Sequence, residues 1–214
     1  MSLAAVILVA YLIGSVSFAV LVSRAFALPD PHTYGSGNPG ATNVLRTGRK
    51  AAAALTLIGD TFKGWFAVAL TQQHVTGDPA AVAVAALAVT LGHMYPVFHR
   101  FRGGKGVSTA LGILLALSLP LAAGTAATWL IIAFFFRISS LAALIAAVFA
   151  AFFSFFLYGM NRLEIETVIA VTVLSLLLVW RHRQNIRKLL AGTEEKLGRP
   201  AAQSGVRDSE KSAS

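Results

Sequence analysis

Residues 106–136 read GVSTALGILLALSLPLAAGTAATWLIIAFFF, from Gly106 to Phe136, without a charged side chain. As one helix this run would be about 47 Å long at 1.5 Å per residue, well beyond the roughly 30 Å of a bilayer core. Pro120 stands near its middle, where a proline removes a backbone donor and clashes with the preceding turn. The stretch therefore predicts two short helices around Pro120, joined by a tight turn. Lipid offers no partner to backbone N–H and C=O groups, so a chain built on such a segment must satisfy them internally, as helices do. The fold class expected is an all-α integral membrane protein.

The same reading extends outward. Leu3–Val22 is free of charge, as is Pro79–Phe98 apart from His93, and Ile138–Asn161 and Leu163–Trp180 close the set. Ala51–Thr71 is also long enough to cross but contains Asp60 and Lys63, three positions apart and so on one helix face. Charges inside a membrane face protein or a water-filled cavity; a structural ion pair and a role beside the active site are both open for this one. His93, on an otherwise apolar run, reads as a satisfied core histidine. Loop charges choose the number of crossings. With seven transmembrane helices and the N-terminus outside, the interior receives Arg24, Arg46, Arg49, Lys50, Arg100, Arg102, Lys105, Arg137, Arg181, Arg183, Arg187 and Lys188, and the outer loops carry only Arg162. Six helices would move Arg137 and the Arg181–Lys188 cluster outside, so seven is expected, with a cytoplasmic C-terminus. The first run has no basic residue before it and exceeds the usual length of about 7–15 for a signal-peptide core. It is expected to be retained as a helix even though Ala25-Phe26-Ala27 looks like a processing site.

Composition agrees. Apolar residues make up 56% of the 214 positions and charged residues 13%, against roughly 45–50% and 25% in soluble domains. The first 180 residues hold 10 of the 18 Lys+Arg and 5 of the 9 Asp+Glu. One membrane domain over residues 1–197 and a disordered cytoplasmic tail over 198–214 are expected. A net charge of +9 could suit nucleic acid, but a DNA reader needs its cations on a water-soluble face. No nucleic-acid partner is expected. The absence of cysteine removes disulfides, thiolate metal sites and cysteine nucleophiles. The few scattered carboxylates form no metal-binding set, and no cofactor is expected.

Under this topology the chemistry gathers on one side. The first loop runs Tyr34-Gly35-Ser36-Gly37-Asn38-Pro39-Gly40-Ala41-Thr42-Asn43-Val44-Leu45-Arg46. Gly35 to Gly40 match GxGxxG, but no strand precedes them and no βαβ unit fits between membrane helices. What remains is physical: glycines bring backbone N–H groups near an anion, Ser36, Asn38, Thr42 and Asn43 add neutral donors, and Arg46 offers a bidentate fork for phosphate. The second loop, Arg102-Gly103-Gly104-Lys105-Gly106, leads into a helix N-terminus, an arrangement that favours phosphate. It is not a Walker A motif, because Gly106 stands where Ser or Thr would be needed. Arg100 and Arg102 read as topology anchors. A basic helix follows the last crossing, with His182 and Asn185 sharing a face and Gly192 as a C-terminal stop; anionic lipid accounts for its cations as well as a site does. The corner Arg137-Ile138-Ser139-Ser140 offers hydroxyls that reach an anion or cap the next helix. Two glycine loops and a basic helix end beside an apolar bundle suit a substrate with both a phosphate and a lipid tail.

Several of these stretches recur together in one family. Gly35 to Asn43, Gly59-Asp60-Thr61-Phe62-Lys63-Gly64, Gly92-His93-Met94-Tyr95-Pro96 with Gly103 to Gly106, and His182 to Asn185 with Gly192-Thr193-Glu194 stand in the same order as in the bacterial acyl-phosphate-dependent glycerol-3-phosphate acyltransferases (PlsY). Over roughly residues 3–197 the chain resembles this family. The resemblance implies a seven-helix protein of the bacterial cytoplasmic (inner) membrane. Its reaction would be transfer of an acyl group from acyl phosphate to the 1-hydroxyl of sn-glycerol 3-phosphate, giving lysophosphatidic acid and phosphate, the first step of phospholipid synthesis. It implies catalytic roles for Ser36, Arg46 and Lys105. Substrate contacts would fall to Gly37, Asn38, Thr42, Asn43, Gly103, Gly104, Ser140, His182, Asn185 and Glu194. His99 has no expected role. The partners implied are acyl phosphate, glycerol 3-phosphate and membrane lipid, with a functional link to the enzyme that makes acyl phosphate from acyl-carrier protein.

The chemistry fits the inventory. An acyl phosphate is already activated, so positioning two anions and stabilising charge suffices, without a covalent nucleophile. Either the substrate's own phosphate or His182 takes the hydroxyl proton. The rival class is a small phosphate or phospholipid transporter, which would show an internal repeat and helices interrupted at the midplane; the sequence has no such repeat, and its motifs lie at the interface.

Overall fold

A computed structural model describes residues 2–75 and 77–197. The tail 198–214, expected to be disordered, lies outside the described residues. The helices are α1 (Leu3–Ser15), α2 (Phe18–Ala25), α3 (Ala41–Leu45), α4 (Lys50–His74), α5 (Pro79–Met94), α6 (Val107–Leu117), α7 (Leu119–Phe136), α8 (Ser139–Gly159), α9 (Ile165–Arg181) and α10 (Arg183–Leu190), with a 3-10 turn at Val97–His99 after α5. Among the described residues there is no strand. Five stretches are long and apolar enough to cross a membrane: Leu3–Ala25, α4, Pro79–His99, α7 and α8. A sixth arises if α9 and α10, bent by 58°, count as one.

The run from Gly106 to Phe136 breaks, but not as its composition suggests. The break falls at Ser118, whose extended backbone (φ −163°, ψ 113°) separates α6 from α7, while Pro120 sits inside the first turn of α7. In a first turn the missing proline N–H costs nothing, because no intrahelical partner awaits it. Ser118 Oγ accepts the Leu121 N–H at 3.4 Å and caps the new helix. The two pieces are also unequal. α6 has 11 residues and α7 has 18, so only the first is short; the second is about 27 Å long, close to a bilayer core.

The apolar run near the N-terminus likewise predicts one unbroken helix, yet Val16 and Ser17 are extended and divide α1 from α2. The break frees the Val16 carbonyl, and Lys63 Nζ of α4 donates to it at 2.7 Å. A buried lysine thus fills an acceptor that lipid would leave empty.

Small side chains set the packing. A Cβ at Gly14 of α1 would lie 2.2 Å from the Val89 carbonyl oxygen, and one at Gly92 of α5 would lie 2.2 Å from that of Tyr11. The α4–α6 contact repeats the device at Gly64 and Gly112. Membrane helices lack a hydrophobic drive to associate with each other, so close backbone approach through small residues supplies the packing energy. α5 lies at the centre, with buried Ala81, Ala85, Ala86, Ala88 and Val89. Large apolar groups face outward instead: Phe134 is 78% and Phe152 80% exposed. This is the pattern of a bundle solvated by lipid.

The loops meet at one end of the bundle. Thr42 Oγ1 lies 3.1 Å from Ser139 Oγ, His32 Nε2 lies 2.9 Å from the Arg102 carbonyl oxygen, and the Leu197 N–H donates to the Arg137 carbonyl at 2.6 Å. Segments far apart in sequence therefore build one surface.

Candidate active site

The first glycine loop is wrapped around Asn43, which is 2% exposed. Asn43 Oδ1 accepts the Ser36 N–H at 3.0 Å and the Ser36 hydroxyl at 3.3 Å. Its Nδ2 donates to the carbonyls of Pro31 (2.9 Å) and Tyr34 (3.2 Å). The amide is fully used within the loop, so Asn43 fixes where Ser36 stands. Gly35 has φ +56°, and a Cβ there would come within 2.4 Å of Asn43 Oδ1; only glycine tolerates both demands. Arg46, at the end of α3, is not free: its Nη2 is 2.6 Å from Glu195 Oε2, with the two side chains 18% and 42% exposed.

The second loop rests directly on His93. The Gly104 N–H donates to the His93 carbonyl at 3.1 Å. A Cβ at Gly103 would lie 2.0 Å from that carbonyl oxygen, and one at Gly104 would lie 2.2 Å from His93 Nε2. From the other side Arg181, the last residue of α9, donates through Nη2 to the carbonyls of Gly103 (2.8 Å) and Gly104 (3.0 Å). Its guanidinium lies 5.2 Å from the centre of the Tyr95 ring. The loop is held as in a clamp, and Lys105 emerges from it.

Lys105 Nζ donates to Asn185 Oδ1 at 2.6 Å. Asn185 Nδ2 donates to Glu194 Oε1 at 2.6 Å, and the Ser140 hydroxyl donates to that same oxygen at 2.6 Å. Three of the expected regions thus join in one polar chain. Ser139 and Ser140 do not cap α8, whose N-cap Ile138 makes no side-chain bond. Glu194 is placed by the end of α10, where Gly192 (φ +68°) turns the chain and the Thr193 N–H returns to the Lys188 carbonyl. His182 occupies the elbow between α9 and α10 and is 2% exposed. Its Nδ1 lies 2.8 Å from the Leu178 carbonyl oxygen, so Nδ1 donates and Nε2 is left as the acceptor.

Between these elements lies an open cleft with about 690 Å³ of empty space, lined by Ser36, Gly37, Asn38, Gly103, Lys105 and Asn185. Arg181, Arg183, Gln184 and Lys188 complete the wall. Four cations line it, and no carboxylate is among the described lining residues. Burial pushes the Lys105 ammonium down to about 8, against the opposing pull of Glu194. Burial, then the charge of Lys105, push His182 down to about 4. At neutral pH the cleft thus presents a charged Lys105, with a neutral His182 buried behind it.

Six of the thirteen expected site residues line the cleft. Gly104, Asn43 and Thr42 support its walls, while Arg46, Ser140, His182 and Glu194 stand behind it in the contacts given above. Sequence reasoning left Arg181, Arg183 and Lys188 open between anchoring to anionic lipid and a place in the site. Nothing in their spacing separates a cation facing the cleft from one facing headgroups; the 58° elbow after Arg181 makes that difference. His93 also departs from the satisfied core histidine expected, because its buried Nδ1 has no hydrogen-bond partner among the described residues.

The architecture defines a class: a multi-pass helical membrane protein with a cationic, glycine-walled cleft at one end of its bundle. The family follows from comparison. The model of the glycerol-3-phosphate acyltransferase family matches residues 4–192. A glycerol-3-phosphate acyltransferase of Burkholderia pseudomallei (strain 1710b) is 60% identical over 189 residues, covering 88% of this chain and 92% of that protein. One from Cupriavidus taiwanensis is 63% identical over 195 residues, covering 89% and 94%. The crystal structure of PlsY (YgiH), an integral membrane glycerol 3-phosphate acyltransferase, in its glycerol 3-phosphate form is similar with a TM-score of 0.84 at 35% identity, over 92% of this chain and 96% of that one. Its lysophosphatidic acid form gives 0.83 over the same shares. The chain belongs to the glycerol-3-phosphate acyltransferase family.

Proposed function

We propose that this chain moves a fatty acyl group from acyl phosphate to the 1-hydroxyl of glycerol 3-phosphate, releasing phosphate and lysophosphatidic acid. The single observation that carries this reading is the cleft itself. Lys105, Arg181, Arg183 and Lys188 converge where two glycine loops meet the end of an apolar bundle. Such a place receives two phosphates and leaves a lipid tail in the membrane. The reading extends to one domain over residues 1–197 crossing a bacterial cytoplasmic membrane seven times, with α6 as the short crossing and the cleft on the cytoplasmic side. The acyl phosphate would come from an enzyme acting on acyl-carrier protein.

In the reaction, the 1-hydroxyl oxygen bonds to the acyl carbonyl carbon, the bond from that carbon to the phosphate oxygen breaks, and the hydroxyl proton passes to a phosphate. Lys105 neutralises the leaving phosphate, with Arg46 behind it, and the Ser36 hydroxyl and loop amides orient the anion. Gly103 and Gly104 shape the acceptor site. Asn185, held by Glu194 and Ser140, fixes the ammonium. The proton acceptor is the substrate phosphate: with a second pKa near 6, it is a stronger base than His182 at about 4. Binding energy and charge placement then supply the rate, with no activated nucleophile.

A phosphate-release assay with purified protein and glycerol 3-phosphate tests the donor. Palmitoyl phosphate is expected to support product formation and palmitoyl-CoA is not, because the cleft clusters cations for phosphate and no aromatic side chain for a nucleotide base is among its described lining residues. Equal rates with the CoA ester would reject the donor assignment.

A further inference from the structure

Beneath the cleft, inside the bundle, lies a charged group that the reaction does not use. Asp60 and Lys63 of α4 are each 2% exposed, and His93 of α5 is 7% exposed. Lys63 Nζ is 2.8 Å from Asp60 Oδ1, and His93 Nδ1 is 3.7 Å from that same oxygen. The Asp60–Lys63 contact is one of charge rather than aligned hydrogen bonding. Both Asp60 Oδ1 and His93 Nδ1 are buried without a hydrogen-bond partner among the described residues. Lys63, meanwhile, already spends a proton on the Val16 carbonyl at 2.7 Å.

A pair needed only to lock helices would leave no reason for a third polar group beside it, since apolar residues of similar volume pack a core as well as a buried ion pair or better. His93 supplies the reason. One edge of its ring faces Asp60, and the opposite edge lies under Gly104. Its own carbonyl takes the Gly104 N–H at 3.1 Å. A Cβ on Gly104 would strike Nε2 at 2.2 Å, so loop and ring are in direct contact. A continuous path therefore runs from Asp60 through the His93 ring to the residue before Lys105.

We infer that Asp60, charge-compensated by Lys63, orients His93 as a strut beneath the Gly103–Gly104–Lys105 loop, making all three positioning residues for the Lys105 ammonium. With Arg181 gripping the loop from above, the strut fixes its height. Losing the strut lets the loop settle by a fraction of an ångström, and Lys105 moves with it. A shift of that size is costly, because charge stabilisation depends on placement relative to the reacting atoms.

The test uses the full-length protein in detergent and the variant Asp60→Asn/Lys63→Met, which removes both charges and so leaves none unpaired. Three quantities are read: the unfolding midpoint, amide hydrogen exchange of the segment 99–108, and kcat/KM. The expected result is a midpoint within a few degrees of the parent, exchange in 99–108 accelerated at least fivefold with α4 and α5 unchanged, and kcat/KM lowered at least tenfold. His93→Gln keeps a polar side chain of similar length and carries the same test where the double variant yields no folded protein. Unchanged exchange in 99–108, or wild-type kcat/KM in the double variant, would overturn the strut and leave a plain helix lock. Only the kinetic arm rests on the acyltransferase reading. A parent protein inactive with acyl phosphate would fail that reading, while the exchange measurement would still decide the strut.

Discussion

Lys105 and Asn185 stand 80 positions apart and meet at 2.6 Å, which ties the glycine loop after α5 to α10. Asn185 is itself held by Glu194, and Glu194 by Ser140. The ammonium thus has one preferred place before any substrate arrives. Lys105→Ala is expected to lower kcat/KM by about 10²–10³, the usual cost of one lost transition-state donor. Asn185→Ala should cost less, because the charge remains and only its placement is lost. Steady-state kinetics on the two variants in parallel check the order.

The same lysine gives the reaction a basic limb. Burial brings its folded-state value down to about 8, so the charged form that the proposed phosphate contact requires is present below that pH and lost above it. A plot of kcat/KM against pH, which reports the free enzyme, should fall above about pH 8. In kcat the limb should lie higher, since a bound dianion favours the ammonium. Lys105→Arg keeps its charge throughout the range, so its profile should be flat there at a reduced level, the planar fork being no substitute for a point charge. A limb that persists in Lys105→Arg would assign it to another group.

Arg46 is paired with Glu195 rather than free. An incoming phosphate must compete with that carboxylate. Partly exposed pairs are worth about 0–1 kcal/mol, so Glu195→Gln should lower KM for the anionic substrate by up to about fivefold at low salt, with the gap closing as salt rises. Arg46→Ala should remove most activity. A higher KM in Glu195→Gln would show that the pair holds Arg46 in place for the substrate instead of competing with it.

Placement across the membrane is checked by labelling. Arg162 lies beyond the end of α8 remote from the cleft, whereas Lys196 lies close to Leu197, which bonds the Arg137 carbonyl at the cleft end. Cysteines at Arg162 and Lys196, in a chain that has none of its own, should react with an impermeant reagent from opposite sides. Reaction from the same side would reject the seven-crossing topology.

Much of this was legible because lipid and phosphate leave distinct marks on sequence. Apolar runs disclosed the helices, and glycines beside Ser36 and Lys105 marked the two loops that the fold brings to one cleft. What stayed hidden depends on helix ends. That Pro120 opens α7 instead of breaking it, and that Val16 interrupts an unbroken apolar run, follows from capping by Ser118 and from Lys63 filling a carbonyl 47 positions away. The cations after α9 looked alike until the elbow at His182 turned Arg181 onto the Gly103 and Gly104 carbonyls. No local pattern announces a partner so distant.

Acyl transfer is expected to be direct, without an acyl-enzyme. A covalent route needs a nucleophile activated by a neighbouring base, and cysteine is absent. The Ser36 hydroxyl points to an amide oxygen, that of Asn43, which is a poor base. Ser140 does face a carboxylate, Glu194 Oε1 at 2.6 Å, but that oxygen also accepts a bond from Asn185, which lowers its basicity. His182, held down to about 4, is too weakly basic to activate either. Rapid quench with labelled acyl phosphate and no glycerol 3-phosphate should therefore leave the denatured protein unlabelled. A stoichiometric adduct on Ser36, Ser140 or His182 that chases into lysophosphatidic acid when acceptor is added would replace direct transfer with a two-step route, and the residue carrying it would become the nucleophile.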